Sequence, residues 1–226
     1  PATVGTNEAC HVAIESAAGP AIAAIGDAQL GVRDDDEECV REALGTIANA
    51  LDDVTRILDR MPERNDPEVY SQGFRPYLGS VSSVRYEGVD ALDGPQSFRG
   101  ASGAQSSIFP ALDAALGVDH GDNPLVEHLL ELREDMPPGH RAFVEAAERG
   151  PDVRDFAAAA GDDLREAYDD CIERMITFRE HHVDVVETYL VGAVDDQEGT
   201  GGTPFGRYLS TFTDDTRDAR LSGVAE

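Results

Sequence analysis

Between residues 162 and 194, apolar side chains return at steps of three and four: Leu164, Tyr168, Cys171, Met175, Phe178, Val185 and Tyr189, with His182 among them. That repeat is one face of a helix, and a stripe this long has to be covered by neighbouring elements. His182 therefore points inward, while His181 lies about 100° around the helix and cannot share its site. An imidazole among apolar side chains must satisfy its polar nitrogens. It does so as a hydrogen-bonded core histidine, the commoner case, or as an axial ligand of haem iron. The spacing leaves both open.

The remaining patterns are also helical. Residues 8–25 form an Ala-rich helix despite Gly19-Pro20, with His11, Ile14, Ala18, Ile22 and Ile25 on one face, so His11 is a second inward histidine. The run Asp34-Asp35-Asp36-Glu37-Glu38 reads as a solvated helix start, and Val40, Leu44, Ile47, Leu51, Val54 and Leu58 mark a long helix after it. Asn65-Asp66-Pro67 opens another through about Leu78. Residues 79–107, rich in Gly, Ser and Asp, predict a long ordered loop with a short helical turn. Helices follow over 105–116, 124–135, 138–149, 151–159 and 162–194, with a short one near 204–212 after Gly199-Thr200-Gly201-Gly202-Thr203. Alternating strand patterns are scarce. The fold class is all-α, a multi-helical domain with long ordered loops, and no linker or repeat divides residues 1–226.

Acids outnumber bases by 45 to 18, every base is Arg, and the net charge is −27. Such a surface repels nucleic acid and anionic membranes, so neither is a partner. It suits a salt-rich cytoplasm, where screening acts over about 3 Å at 1 M, and so a halophilic source. Three cysteines, Cys10, Cys39 and Cys171, are widely spaced and form no CxxC pair, which fits a reducing cytosol. No apolar run nears the roughly 20 residues of a bilayer span and no secretory signal is visible, so a cytoplasmic protein is expected.

Four elements could carry chemistry: His182, FRGASGAQSS at 98–107, GTGGT at 199–203 and FRPYL at 74–78. Glycines let a backbone approach a flat ligand or an anion, but such loops are more often plain connections. The GTGGT loop lacks the GK[ST] ending of a phosphate loop. Arg75 could clamp a carboxylate in two-pronged fashion or serve in a surface ion pair.

In chain order, ESAAGPAI at 15–22, DPEVYSQGFRPYL at 66–78, FRGASGAQSSIFPALDAALG at 98–117, MPPGHRAF at 136–143, GDDLREAYDDCI at 161–172, FREHHVDVVETYL at 178–190 and GTGGT at 199–203 resemble the indole-cleaving haem dioxygenases, most closely the indoleamine 2,3-dioxygenase family. The likeness covers nearly the whole chain. It implies haem b as cofactor, O₂ and a small indole as reactants, and cleavage of the indole C2–C3 bond of L-tryptophan or a relative to an N-formylkynurenine-type product. Carried over position by position, His182 matches the proximal ligand of haem iron. Arg179 matches the arginine at a haem propionate, and Asp113 its companion carboxylate. Arg75 matches the clamp on the substrate carboxylate, and Tyr70 the aromatic against the indole. Ser102 and Gly103 match the stretch over the distal haem face, and Thr200 the loop residue closing over the substrate's polar end. His140 and Arg141 also fall in a family motif and carry no role beyond structure.

Two departures stand out. His11 occupies a position where this family often has serine and the related tryptophan 2,3-dioxygenases carry a distal histidine that meets the indole N–H. It is the candidate substrate-orienting residue, or else a core or frayed-terminus histidine. The family's smaller N-terminal helical domain is absent from residues 1–226: either the sequence is a trimmed fragment, or the pocket is covered in another way, such as by a neighbouring subunit of a homo-oligomer. A non-catalytic O₂-binding or sensing haem protein on the same scaffold is the alternative reading, and a haem-free binding module a third.

Overall fold

The structure is a computed structural model and describes residues 2–121, 123–190 and 208–222. Among them are eight α-helices and one two-stranded sheet, the all-α class expected. Helix α1 (Ala2–Asp34) and helix α2 (Glu37–Leu58) form a long helical hairpin. Helix α7 (Asp162–Tyr189) packs on α2, and α8 (Tyr208–Asp218) packs on α7. Helices α3 (Ile108–Ala115), α4 (Pro124–Leu132), α5 (Pro138–Glu148) and α6 (Val153–Ala159) complete the bundle, with α3, α5 and α6 touching α1.

The acidic run does not open a single helix; it spans the turn between two. Asp35 takes a left-handed φ of 57°, and the Asp36 side chain caps α2 by accepting from the Cys39 N–H at 3.0 Å. Glu37 and Glu38 then fill the first turn, where the helix dipole favours them. The turn is tight because Gly31 lets α2 approach: a Cβ there would lie 2.8 Å from Val40 Cγ2 and 3.1 Å from Val40 N.

Helix α1 runs through Pro20, and its buried stripe is Asn7, Cys10, Ala18, Ala21, Ala24, Ile25 and Ala28. Residues 7–34 are long and apolar enough on average to cross a membrane, correcting the expectation that no stretch comes near. Alanines raise the average without any bulky run, and their small side chains instead pack α1 against α2. The core joins this stripe to Val40, Leu44, Ile47, Leu51 and Val54 of α2 and to Leu164, Tyr168, Cys171, Ile172 and Met175 of α7. Burying each large aliphatic side chain there contributes about 1.5–3 kcal/mol. Tyr168, fully buried, donates to the Leu116 carbonyl at 2.6 Å and so ties α7 to the end of α3.

The segment after Asn65-Asp66-Pro67 is helical as expected but not α-helical. Residues Val69–Phe74 form a π-helix and Arg75–Leu78 a 3₁₀-helix. Pro76 has no N–H to donate, so a regular ladder cannot pass it; the wide turn ends where Arg75 N–H donates to the Tyr70 carbonyl. The long loop after it carries an unforeseen hairpin, β1 (Val81–Val84) with β2 (Gln96–Phe98), antiparallel with an irregular register. The loop is closed by Ala101 N–H donating to the Leu78 carbonyl at 2.9 Å. Its strands are too short and too exposed for an alternating pattern.

Candidate functional site

His182 sits in the sixth turn of α7, on the stripe the spacing predicts. Its ring stacks almost parallel to Phe178, centroids 6.1 Å apart, and Phe178 stacks on Phe109 of α3 at 4.4 Å. The residue keeps some accessible surface, yet desolvation, helped by the nearby His11 and Arg179, pushes its pKa down to about 4. The ring is therefore neutral at pH 7, with a lone pair to offer. Among the described residues none hydrogen-bonds it, so its nitrogens are left to a group from outside them. Nor do the described residues bring three His, Cys, Asp or Glu side chains together as a bare-metal site. A lone imidazole beside aromatic rings is the donor set a porphyrin iron needs, because the macrocycle supplies four ligands itself.

One residue before Glu180, on the same stretch of α7, Arg179 is 8% exposed. Its Nη2 donates to Asp113 Oδ1 at 2.5 Å and its Nη1 to the Phe212 carbonyl of α8 at 2.8 Å. Its guanidinium also lies 5.7 Å from the Phe109 ring and 5.6 Å from the Phe212 ring. Its buried Nε has no hydrogen-bond partner among the described residues. A buried cationic donor left open is costly, and an anionic group such as a propionate would satisfy it. Asp113 is held below the usual carboxylate range: burial pushes its pKa up, but Arg179 and His120 outweigh it.

His11 departs from expectation. It is exposed, because the buried stripe of α1 runs through Asn7, Cys10 and Ala18, one position off the stripe drawn through Ile22. Its Nδ1 lies 2.9 Å from the Asn7 carbonyl, and it adds to the lowering of the His182 pKa. A carbonyl only accepts, which puts a proton on Nδ1; in the neutral ring Nε2 is then the nitrogen with a lone pair.

Tyr70 and Arg75 lie on the π- and 3₁₀-helical segment. Tyr70 meets Tyr189 of α7 edge-on at 5.7 Å and Phe74 at 6.0 Å, and its phenol pKa is raised by burial against the opposing pull of Arg75. Tyr189 in turn donates to the Asn65 carbonyl at 2.7 Å. The structure thus brings Tyr70 and Arg75 together near the end of α7. Ser102 and Gly103 bond within their own turn: Ser102 Oγ accepts from Ala104 N–H at 3.2 Å, and Ser102 N–H donates to Gln105 Oε1 at 3.0 Å. Gln105 also donates to the Gly100 carbonyl at 3.2 Å, which fixes the segment's shape. His140 lies 3.3 Å from Ser107 Oγ, a contact at the entry to α3. Thr200 and the GTGGT loop lie outside the described residues.

Sequence reasoning missed His120 and Asp215. His120 Nε2 lies 3.1 Å from Asp113 Oδ2, and its Nδ1 lies 2.9 Å from Asp215 Oδ2. No spacing pairs them, since 95 positions separate the two. The one local signal is that His120 falls shortly after the α3 stripe bearing Asp113.

Residues 8–198 match the family model described as Indoleamine 2,3-dioxygenase. The chain is 36% identical to Indoleamine 2,3-dioxygenase 1 of Rattus norvegicus over 92% of this chain and 57% of that protein. It is 33% identical to a 6-hydroxytryptophan 2,3-dioxygenase of Fusarium equiseti over 80% of this chain and 46% of the relative. With Indoleamine 2,3-dioxygenase 2 of Homo sapiens it shares 28% identity over 92% of this chain and 56% of the relative. The chain thus spans about half the length of the curated relatives it matches.

Proposed function

Because this chain belongs to the indoleamine 2,3-dioxygenase family, we propose that it is the haem-binding part of a dioxygenase acting on L-tryptophan or a related indole. The reaction is insertion of both atoms of O₂ across the indole C2–C3 bond, giving an N-formylkynurenine-type product. The observation that carries this reading is the neutral ring of His182 beside the buried Arg179 with its open Nε. Haem b, when bound, supplies the activation of O₂ and the redox chemistry of bond cleavage.

The chain's own residues bind and place. His182 would hold the haem iron through a ring nitrogen, and Arg179, braced by Asp113, would hold an anionic group of the haem. His11 offers Nε2 as acceptor to the indole N–H, which orients the ring without removing its proton. Tyr70 gives the indole an aromatic wall, held at its angle by Tyr189, and Arg75 draws the substrate carboxylate to one end. Ser102 and Gly103, in a turn fixed by its own hydrogen bonds, would face the bound indole, and Thr200 is the residue assigned to the substrate's polar end by its match to the family. Such placement, with reacting atoms held about 3–3.5 Å apart, supplies a large part of a rate enhancement. A homo-oligomeric neighbour covering the distal side would exclude water and strengthen these contacts. The acidic, lysine-free composition supports a salt-rich cytoplasm as the setting.

Turnover of L-tryptophan by the reduced, haem-loaded protein under O₂ tests the reading through the absorbance of N-formylkynurenine. Arg75→Ala should raise KM about tenfold or more, the worth of one charge-assisted clamp, with the haem spectrum unchanged. Absence of product from the haem-loaded wild type, or unchanged KM in the variant, would contradict it.

A further inference from the structure

One buried charged cluster extends beyond the residues used above. His120, with its side chain 13% exposed, lies between two carboxylates, Asp113 of α3 and Asp215 of α8, and its ring packs 4.3 Å from Phe212. Carboxylates only accept, so an imidazole bonded to one at each nitrogen must carry both protons. Asp113 gives its other oxygen to Arg179, and Arg179 reaches the Phe212 carbonyl, three residues before Asp215. The circuit therefore closes, from α3 through His120 to α8 and back through α7. Two carboxylates, one imidazolium and one guanidinium sum to zero. Loss of the His120 proton leaves a net negative charge beside Arg179, whose Nε is open.

We propose that His120, as an imidazolium, is a positioning residue that clips α8 to Asp113 and holds the Arg179 guanidinium with Nε available to an anionic group. That the anion is a haem propionate rests on the function proposed above; the clip itself does not. The groups facing His120 are Asp113 from α3, Asp215 and Phe212 from α8, and Arg179 from α7. Burial and Arg179 pull its pKa down, and the two carboxylates overcome both and raise it above the ordinary histidine value. The clip is fully present below the ordinary histidine value and opens as the pH rises through that raised value.

The test compares wild type, His120→Gln and Asp215→Asn at about pH 6 and at a higher pH, found by titrating the wild type, at which its imidazolium is lost. In the haem-free chain, amide exchange over α8 should be about tenfold faster in either variant at the lower pH, the effect of losing one charge-assisted bond. At the higher pH all three should exchange alike, because the wild type has lost its imidazolium too. In the haem-loaded protein, transfer of haem to an excess of apomyoglobin should be about tenfold faster at the higher pH for wild type. For His120→Gln it should be fast at both. Variant exchange equal to wild type at the lower pH, or faster by the same factor at both, overturns the clip. Asp215→Asn carries that reading if His120→Gln does not fold. Failure to take up haem, with the exchange pattern as expected, supports the clip and overturns the proposed function instead.

Discussion

At the scale of single residues, His182 gives the haem-free chain a distinctive response to acid. The folded state keeps its ring neutral down to about pH 4, whereas an unfolded chain protonates it near the ordinary value of 6.5. Its contribution is thus fully present above 6.5 and is lost as the pH falls towards 4, up to about 3 kcal/mol in total. Many carboxylates titrate in the same window, so the signal lies in a difference. His182→Phe, which keeps an apolar ring on the stripe, should gain on wild type in denaturant unfolding by that amount between pH 6.5 and 4. A difference that does not change with pH would refute the buried neutral ring. His182 was legible because bulky side chains bracket it on both sides at helical spacing. His11 was misplaced inward because alanines mark a face weakly, and Ile14 and Ile22, both only half-buried, drew the stripe one position round. His120 and Asp215 were invisible because their partnership is made only by the return of α8 to α3.

At the scale of elements, the α1–α2 turn shows where packing outweighs propensity. Gly31→Ala would gain about 1 kcal/mol of helix propensity. The new Cβ would stand 2.8 Å from Val40 Cγ2, 3.1 Å from Val40 N and 3.2 Å from the Asp36 carbonyl, and two of those three atoms are backbone. Overpacking of that kind costs about 1–3 kcal/mol, so the net effect should be destabilising, read as a lower melting temperature. A melting temperature equal to or above wild type would show that the turn relaxes freely. Helices α2 and α7 were readable almost to their ends because acidic first turns and apolar stripes agree there, and α5 because Pro138 opens it. The π-helical stretch over Tyr70 was readable as helical but not as π, because Pro76 marks an interruption without saying which way the ladder yields. The β1–β2 hairpin left no periodic trace at all.

At the scale of the whole molecule, a net charge of −27 over 226 residues makes self-repulsion a term that solvent controls. Raising salt from about 0.1 M to 1 M shortens screening from about 10 Å to 3 Å, and stability to heat should rise with it. A melting temperature that falls or stays level across that range would mean the acidic surface is already balanced by its arginine pairs. The all-α class and the family were legible from the order of motifs, which no single motif could have established. The central claim is that an imidazole on α7 and a propionate-ready arginine one turn earlier hold haem. Titration of haem into the protein, followed at the Soret band, tests it most directly. The account predicts saturation at one haem per chain for wild type, loss of tight binding in His182→Ala, and partial recovery in His182→Gly with added imidazole. Haem bound as tightly and with the same spectrum by His182→Ala would contradict it.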